Sequence, residues 1–229
     1  AMEAFIQCDK SMVFDILAND GDQVLAGMEI LRMKGLARAV LSAERVALNF
    51  IQQLSGTATL TSQAVGAAGV VKVLDTRKTV PGLRYAQKYA VSIGGGGNQR
   101  HNLEDEILLK ENHFALSGLS YSNTVKQAVA SSQGKVVGVE AENFEQAQEA
   151  LACDADYVLL DNFSDKSLAD AVLALRREFP NAILEASGGY TIKRLPFLAS
   201  IGIDRISIGA LTHSAPALDI SLLLISTHD

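Results

Sequence analysis

From about residue 70 onward the chain alternates short Val/Ile/Leu-rich runs with amphipathic stretches, and this rhythm restricts the fold more than any other feature. The runs are VVKVLDT (70–76), EILLKENH (106–113), KVVGVEAE (135–142), DYVLLDNF (156–163), NAILEASGG (181–189) and DRISIGA (204–210). Each opens continuously apolar, as a strand covered on both faces must be. The segments between them carry helix signals. Asn143 precedes FEQAQEALA with Gln146 three residues on, Ser164 precedes DKSLADAVLALRREF, which stops at Pro180, and Thr191 opens IKRLPFLASIG, which stops at Gly202. Strand alternating with helix is the pattern of a parallel α/β fold.

Polar residues gather where the runs end: Thr76-Arg77-Lys78, Lys110 to His113, Glu140 and Glu142, Asp161-Asn162, Glu185 with Ser187, and Gly209. In a parallel barrel the carboxyl ends of all strands surround one mouth. A flat doubly wound sheet would concentrate such residues at a single crevice. Polar groups on all these ends predict an α/β fold that is an incomplete parallel barrel of about six strands, spanning 47–215. Residues 1–46, with an Asp20-Gly21 turn and short alternating runs, predict a small N-terminal α+β companion domain. SAERVALNFIQQLSGTATL is a long helix leading to the barrel. The apolar tail LDISLLLIST, within 216–229, is expected as a further strand returning to the companion.

A net charge of −6 over 229 residues argues against a nucleic-acid binder, which presents a basic face. Cys8 and Cys153 form no disulfide framework and no metal-ligand spacing, so each is expected buried as a small hydrophobe. No apolar run reaches the roughly 18 residues of a membrane span, and the start lacks a secretory layout, so a cytoplasmic protein is expected.

In an acidic chain, local cations are informative. VLDTRKTVPG ends a strand on Arg77 and Lys78, with Pro81 expected to open the next helix. EASGGY offers Ser187, Gly188 and Gly189, and SIGALTHSA offers Gly209 and His213. Each lies between a strand and a helix, where backbone N–H groups can receive an anion. Two such loops at the end of a barrel form a phosphate cradle, while the plainer reading is that each glycine closes a turn. SIGGGGNQRHNLEDE places Arg100 after four glycines, a composition expected where backbone approaches a ligand or moves. Arg77, Lys78, Arg100 and Lys110 suit a polyanion. Glu140 and Asp161 opposite them suit sugar hydroxyls, a bridging Mg²⁺ or a developing positive charge, or else are the ion-pair partners of those cations. His113 by itself reads as structural.

The stretches AERVALNFIQQLSGTAT, LDTRKTVPGLR, KYAVSIGGGGNQRHNLEDEILLKENH, VEAEN, LLDNF, LEASGG and GALTHSAPALDISL resemble, in order, the nicotinate-nucleotide pyrophosphorylase (quinolinate phosphoribosyltransferase) family over about residues 43–222. The resemblance implies carboxylating chemistry: quinolinate and phosphoribosyl pyrophosphate give nicotinate mononucleotide, pyrophosphate and CO2 with Mg²⁺, in de novo NAD biosynthesis. It implies that Thr76, Arg77, Lys78, Gln99, Arg100 and Lys110 bind substrate. Lys110, Glu140 and Asp161 would be catalytic, the two acids reaching the metal indirectly through Mg-pyrophosphate. Ser187, Gly188, Gly189, Gly209 and His213 would hold the 5′-phosphate. Arg45 would be donated to a neighbouring subunit of a homodimer or larger homo-oligomer, with no nucleic acid or membrane as partner. The family has Asn-His-Arg where this chain reads Asn98-Gln99-Arg100, and Gln99 can donate a hydrogen bond but carry no charge. Family members also extend further at the amino end, so the companion is expected to be incomplete there. The alternatives are a molybdenum-transport-associated homologue acting on another acid, a Schiff-base aldolase using Lys110, and a non-catalytic phosphate-ligand sensor.

Overall fold

The computed structural model describes residues 1–225. Helix α1 (Met2–Cys8) and the antiparallel strands β1 (Val13–Ile16) and β2 (Leu31–Lys34) form the companion layer. Phe5 and Met12 pack there with Val40, Ala43 and Ala47. The last three belong to α2 (Ala37–Ala68), an unbroken helix whose far end supplies Ala64 and Ala68 to the main core. The expected domain boundary near residue 46 therefore falls inside one continuous helix. No helix among the described residues is long and apolar enough to cross a membrane.

The six apolar runs become β3 (Lys72–Leu74), β4 (Ile107–Leu109), β5 (Val137–Ala141), β6 (Tyr157–Asp161), β7 (Ile183–Ser187) and β8 (Arg205–Ser207). They pair in parallel in the order β3-β8-β7-β6-β5-β4. The first and last strands in sequence, β3 and β8, thus pair at one edge, β4 forms the other, and the sheet curls into the incomplete barrel that the rhythm predicts. On the open side of β3, one parallel bridge joins Leu74 to Gly97, in the segment that leads to β4. Here Gly97 N donates to Val73 O (2.7 Å) and Asp75 N to Gly97 O (3.1 Å).

The outer helices are α3 (Arg84–Ile93), α4 (Glu111–Ser117), α5 (Tyr121–Ala130), α6 (Phe144–Ala152), α7 (Asp165–Glu178), α8 (Leu195–Ile201) and α9 (Ala210–His213). Two of the three predicted helix starts are capped by their side chains, and Thr191 makes no cap bond. Asn143 accepts from Gln146 N, and Ser164 accepts from Ser167 N. The helix expected after Thr191 begins as a 3₁₀ turn (Ile192–Arg194) and stops at Gly202, which takes a left-handed conformation at φ 84°.

Three expectations fail in instructive ways. Pro81 does not open a helix: it forms a turn with Gly82, and α3 starts at Arg84. Cys8 is exposed at the end of α1, whose apolar contact is made through Phe5, whereas Cys153 is buried as expected. The tail does return, with Leu222 against the companion core, but no strand forms over 215–225. Its backbone bonds go to a single helix residue, Leu218 N to Gln52 O (2.9 Å) and Gln52 Nε2 to Ile220 O (2.7 Å). Residues 226–229 of the expected strand lie outside the described residues.

Candidate active site

The carboxyl ends of the parallel strands share one mouth, and the polar residues there fall into three groups. The first surrounds a cavity of about 420 Å³ walled by Lys110, Glu140, Glu142 and Asp161, with Phe114 and Tyr121 on one side. Lys110 Nζ donates to Glu140 Oε2 at 2.8 Å. Both are partly open to water, the lysine side chain 43% and the glutamate 16% exposed, so a ligand can compete for either charge. The aromatic wall comes from α4 and α5, whose rings stack at 4.2 Å, and Tyr121 Oη donates to Glu140 O (3.2 Å). Burial raises Tyr121 far above the ordinary phenol range, so it acts as a neutral donor. His113 is structural, its Nδ1 accepting from Lys110 N (3.0 Å) and closing the first turn of α4.

The second group is Arg77, after β3, and Arg100, after the glycine loop. Burial first, and then the neighbouring Arg77 charge, push Arg100 below its usual range. Arg100 Nη1 donates to Glu106 O (3.1 Å), yet the Nε atoms of both arginines are buried without a hydrogen-bond partner among the described residues. Two adjacent, partly buried cations with unused donors are poised for an anion. Thr76 turns the chain between strand and cations, its Oγ1 accepting from Lys78 N (3.0 Å).

The third group holds the two anion loops. Ser187 ends β7 opposite Asp161 of β6. Gly188 follows at φ 112°, and a Cβ there would lie 2.6 Å from Asn162 Oδ1, so only glycine fits. Gly189 has open space beside it. Lys78 reaches the second loop: its Cδ and His213 Nε2 each lie 3.2 Å from the Cβ position of Gly209. That placement brings a lysine stem beside the second loop. Thr212 Oγ1 donates to Lys78 O (2.7 Å) and Gln87 Nε2 to Thr212 O (2.6 Å), fixing the two segments together. His213 is exposed, with Nδ1 2.6 Å from Ser214 Oγ.

Two candidates lie elsewhere. Glu185 is not at the mouth but fully buried, two residues below Ser187 on the bore-facing side of β7. Its Oε2 makes a 2.6 Å ion-pair contact with Arg205 Nε, although the angle is too poor for a hydrogen bond. Burial raises the Glu185 carboxyl, and Arg205 and Ser207 pull it back. Arg45 sits on α2 with a 78% exposed side chain, away from this chain's own mouth, its ionic contact being Glu44 at 3.6 Å.

The structure adds supports that the sequence reading did not single out. Lys88 of α3 and Asp75 after β3 form an ion pair at 2.5 Å, with both side chains fully buried. Asp75 also accepts from Gln99 N (2.9 Å) and Asn98 Nδ2 (2.8 Å), and Lys88 donates to Gln99 O (2.7 Å). The loop that carries Gln99 and Arg100 is thereby bolted to the barrel. Gly94, Gly96 and Gly97 are required by this packing. A Cβ would meet Ala58 O at 2.4 Å from Gly94, and Leu74 Cδ2 at 2.7 Å from Gly97.

Paired cations, facing carboxylates and two glycine loops on an open α/β barrel define a protein built to hold a phosphate beside a second anion. Comparison with known proteins gives the family. Residues 57–223 match the model of the quinolinate phosphoribosyl transferase C-terminal domain, and residues 1–55 that of the N-terminal domain. The chain belongs to the quinolinate phosphoribosyl transferase family. It is 42% identical over 223 residues to a probable nicotinate-nucleotide pyrophosphorylase (carboxylating) of Bacillus subtilis, covering 96% of this chain and 76% of the relative. To the Mycobacterium leprae nicotinate-nucleotide pyrophosphorylase it is 40% identical over 205 residues, covering 89% and 72%. The solved structure of the Francisella tularensis enzyme superposes with a TM-score of 0.87 at 42% identity, covering 96% of this chain and 78% of that one.

Proposed function

We propose that this chain transfers the phosphoribosyl group of phosphoribosyl pyrophosphate to quinolinate, giving nicotinate mononucleotide, pyrophosphate and CO2 for NAD synthesis. One observation carries the reading: the accessible Lys110–Glu140 pair shares a cavity with Asp161, which ends a strand beside the Ser187-Gly188 loop. Arg77 and Arg100 offer their unused donors to the adjacent carboxylates of quinolinate, and Lys110 completes the grip by exchanging Glu140 for substrate. Gln99 adds a fixed neutral dipole. Ser187, Gly188, Gly189, Gly209 and His213, with Lys78 over Gly209, seat the 5′-phosphate.

In this geometry the quinolinate ring nitrogen attacks the ribose anomeric carbon as the bond to pyrophosphate breaks. Glu140 and Asp161 stabilise the positive charge that develops on the sugar. The carboxylate next to the alkylated nitrogen then leaves as CO2, its electron pair remains on the ring carbon beside the positive nitrogen, and a proton from solvent replaces it. The two acids fit an Mg²⁺ that arrives with the pyrophosphate, since both are hard oxygen donors lining one cavity. When bound, the ion would neutralise charge on the leaving pyrophosphate.

Arg45, exposed on α2, acts on the mouth of a second copy in a homodimer. Mixing inactive Arg45→Ala and Lys110→Ala proteins should restore part of the activity, and no recovery would place Arg45 outside the site. The main test is purified protein with quinolinate, phosphoribosyl pyrophosphate and Mg²⁺, followed by release of CO2 and nicotinate mononucleotide. Turnover of nicotinate in place of quinolinate would overturn the substrate assignment.

A further inference from the structure

Arg84, the first residue of α3, stands where a cation does least for the helix itself. It adds charge to the positive end of the helix dipole, and the first turn holds no acidic residue to offset it. Among the described residues its guanidinium makes no ion pair. It donates instead to three uncharged acceptors: Nε to Thr79 Oγ1 (3.2 Å), Nη1 to His101 O (3.2 Å) and Nη2 to Arg77 O (3.3 Å). A half-buried cation so placed calls for a reason outside the helix.

The three acceptors supply one. Arg77 and Thr79 belong to the segment after β3, and His101 directly follows Arg100 on the loop that leads to β4. One guanidinium therefore spans the two segments that carry the paired arginines. Its planar fork reaches both carbonyls at once, which the single ammonium of a lysine could not do. The same face of α3 continues the work. Gln87 and Lys88 stand three and four residues on, where helix side chains line up with position 84. Gln87 Oε1 accepts from Val80 N (2.8 Å), and Lys88 meets Asp75 and Gln99 O. Those two hold the flanks of both segments, and Arg84 closes the row beside the arginines. Arg77 and Arg100 repel each other, and neither makes an ion pair among the described residues. Arg84 adds a third unpaired charge to theirs.

We propose that Arg84 is a positioning residue that fixes the separation of Arg77 and Arg100 and, with its own unpaired charge, tunes the mouth to a dicarboxylate over a monocarboxylate. This step rests on the proposed reaction, in which those arginines receive the two adjacent carboxylates of quinolinate. A dianion relieves the repulsion among three held cations, and it does so best when their spacing matches its own. A monoacid on the same ring engages one arginine, so the spacing matters little to it. Phosphoribosyl pyrophosphate, seated at the glycine loops, does not depend on that spacing either.

The test measures binding of quinolinate, nicotinate and phosphoribosyl pyrophosphate to the whole protein by titration calorimetry, with thermal unfolding in parallel. The proteins are wild type, Arg84→Lys, Arg84→Met, Arg100→Met and the double variant of the last two. Arg84→Met should weaken quinolinate about tenfold, the size of one charge-assisted hydrogen bond, and the other ligands less than about twofold. Arg84→Lys keeps the charge and loses the span, so it should weaken quinolinate by roughly threefold. It carries the test if Arg84→Met does not fold. In steady state the loss should appear as a raised KM for quinolinate, with kcat changed less than about twofold. In the Arg100→Met background, Arg84→Met should weaken quinolinate by no more than about threefold. Unchanged quinolinate affinity, an equal loss for all three ligands, or full additivity in the double variant would each overturn the clamp. Failure of wild type to turn over quinolinate while these binding differences hold would instead overturn the reaction and leave the clamp standing.

Discussion

Lys88 and Lys110 each meet a carboxylate, at 2.5 and 2.8 Å, in settings that share chemistry and differ in access to water. Lys88 and Asp75 are fully buried, and every contact they make is with the protein itself, including the backbone of Gln99. Lys110 and Glu140 stand in an open cavity and hold each other loosely enough to be separated. A buried pair cannot release one partner without stranding the other charge, whereas an exposed pair loses little when broken. The first pair builds the mouth, and the second is part of what the mouth offers to substrate.

The comparison breaks first at Lys88. Lys88→Met should lower stability by about 3–5 kcal/mol, because it leaves Asp75 buried and unpaired, and urea unfolding measures it. Lys88→Met with Asp75→Leu should recover much of that loss. A wild-type midpoint for the single variant would dissolve the distinction. Lys110→Ala should do the converse, weakening quinolinate binding by about 2–5 kcal/mol while moving stability by about 1 kcal/mol or less. Calorimetry and thermal unfolding on one preparation decide both. Gly188→Ala sharpens the mouth side. At φ 112°, and with Asn162 Oδ1 2.6 Å from the new Cβ, it should cost about 1–3 kcal/mol and weaken phosphoribosyl pyrophosphate binding. Gly209→Ala, at φ −63°, should leave the fold unchanged.

A smaller effect depends on pH. Burial, outweighing Lys88, raises Asp75 above its ordinary 3.8, so the folded protein keeps a proton that the unfolded chain has already released. Stability from this group is thus greatest at low pH and declines as pH climbs from 3.8 through the folded value. Asp75→Asn should remove that downward slope from a series of urea midpoints. A parallel pair of curves would assign the slope to other groups. Least of all, Arg45→Ala should move the unfolding midpoint by under about 0.5 kcal/mol, as befits a solvated side chain on α2.

The barrel was legible because its strands are covered on both faces, so the apolar runs stop only where the mouth begins, at Thr76, Lys110, Glu140 and Asp161. The same rule misplaced Glu185. The bore of this barrel is polar, and an acid facing Arg205 and Ser207 inside it reads, in sequence, like an acid at a strand end. The Asp75–Lys88 pair was hidden for a related reason: Asp75 closes an apolar run and Lys88 sits in an amphipathic helix, and only folding brings them together. Phe114 and Tyr121 gave no sequence signal, being two ordinary aromatics that meet because α4 and α5 both follow β4. The four glycines announced close approach correctly. That α2 and β3 are among the groups approached could not be read from them.

The single bridge at Gly97 has a consequence for how such a protein can change. Everywhere else the circumference of the barrel is set by strand registers, and a one-residue slip would turn interior side chains outward. On the open side of β3 it is set by a stretch of backbone that pairs with Leu74 at one point. Lengthening or shortening the chain between Gly97 and β4 can therefore widen or narrow the aperture without disturbing any ladder. A search for variants that admit a bulkier aromatic acid is best begun there.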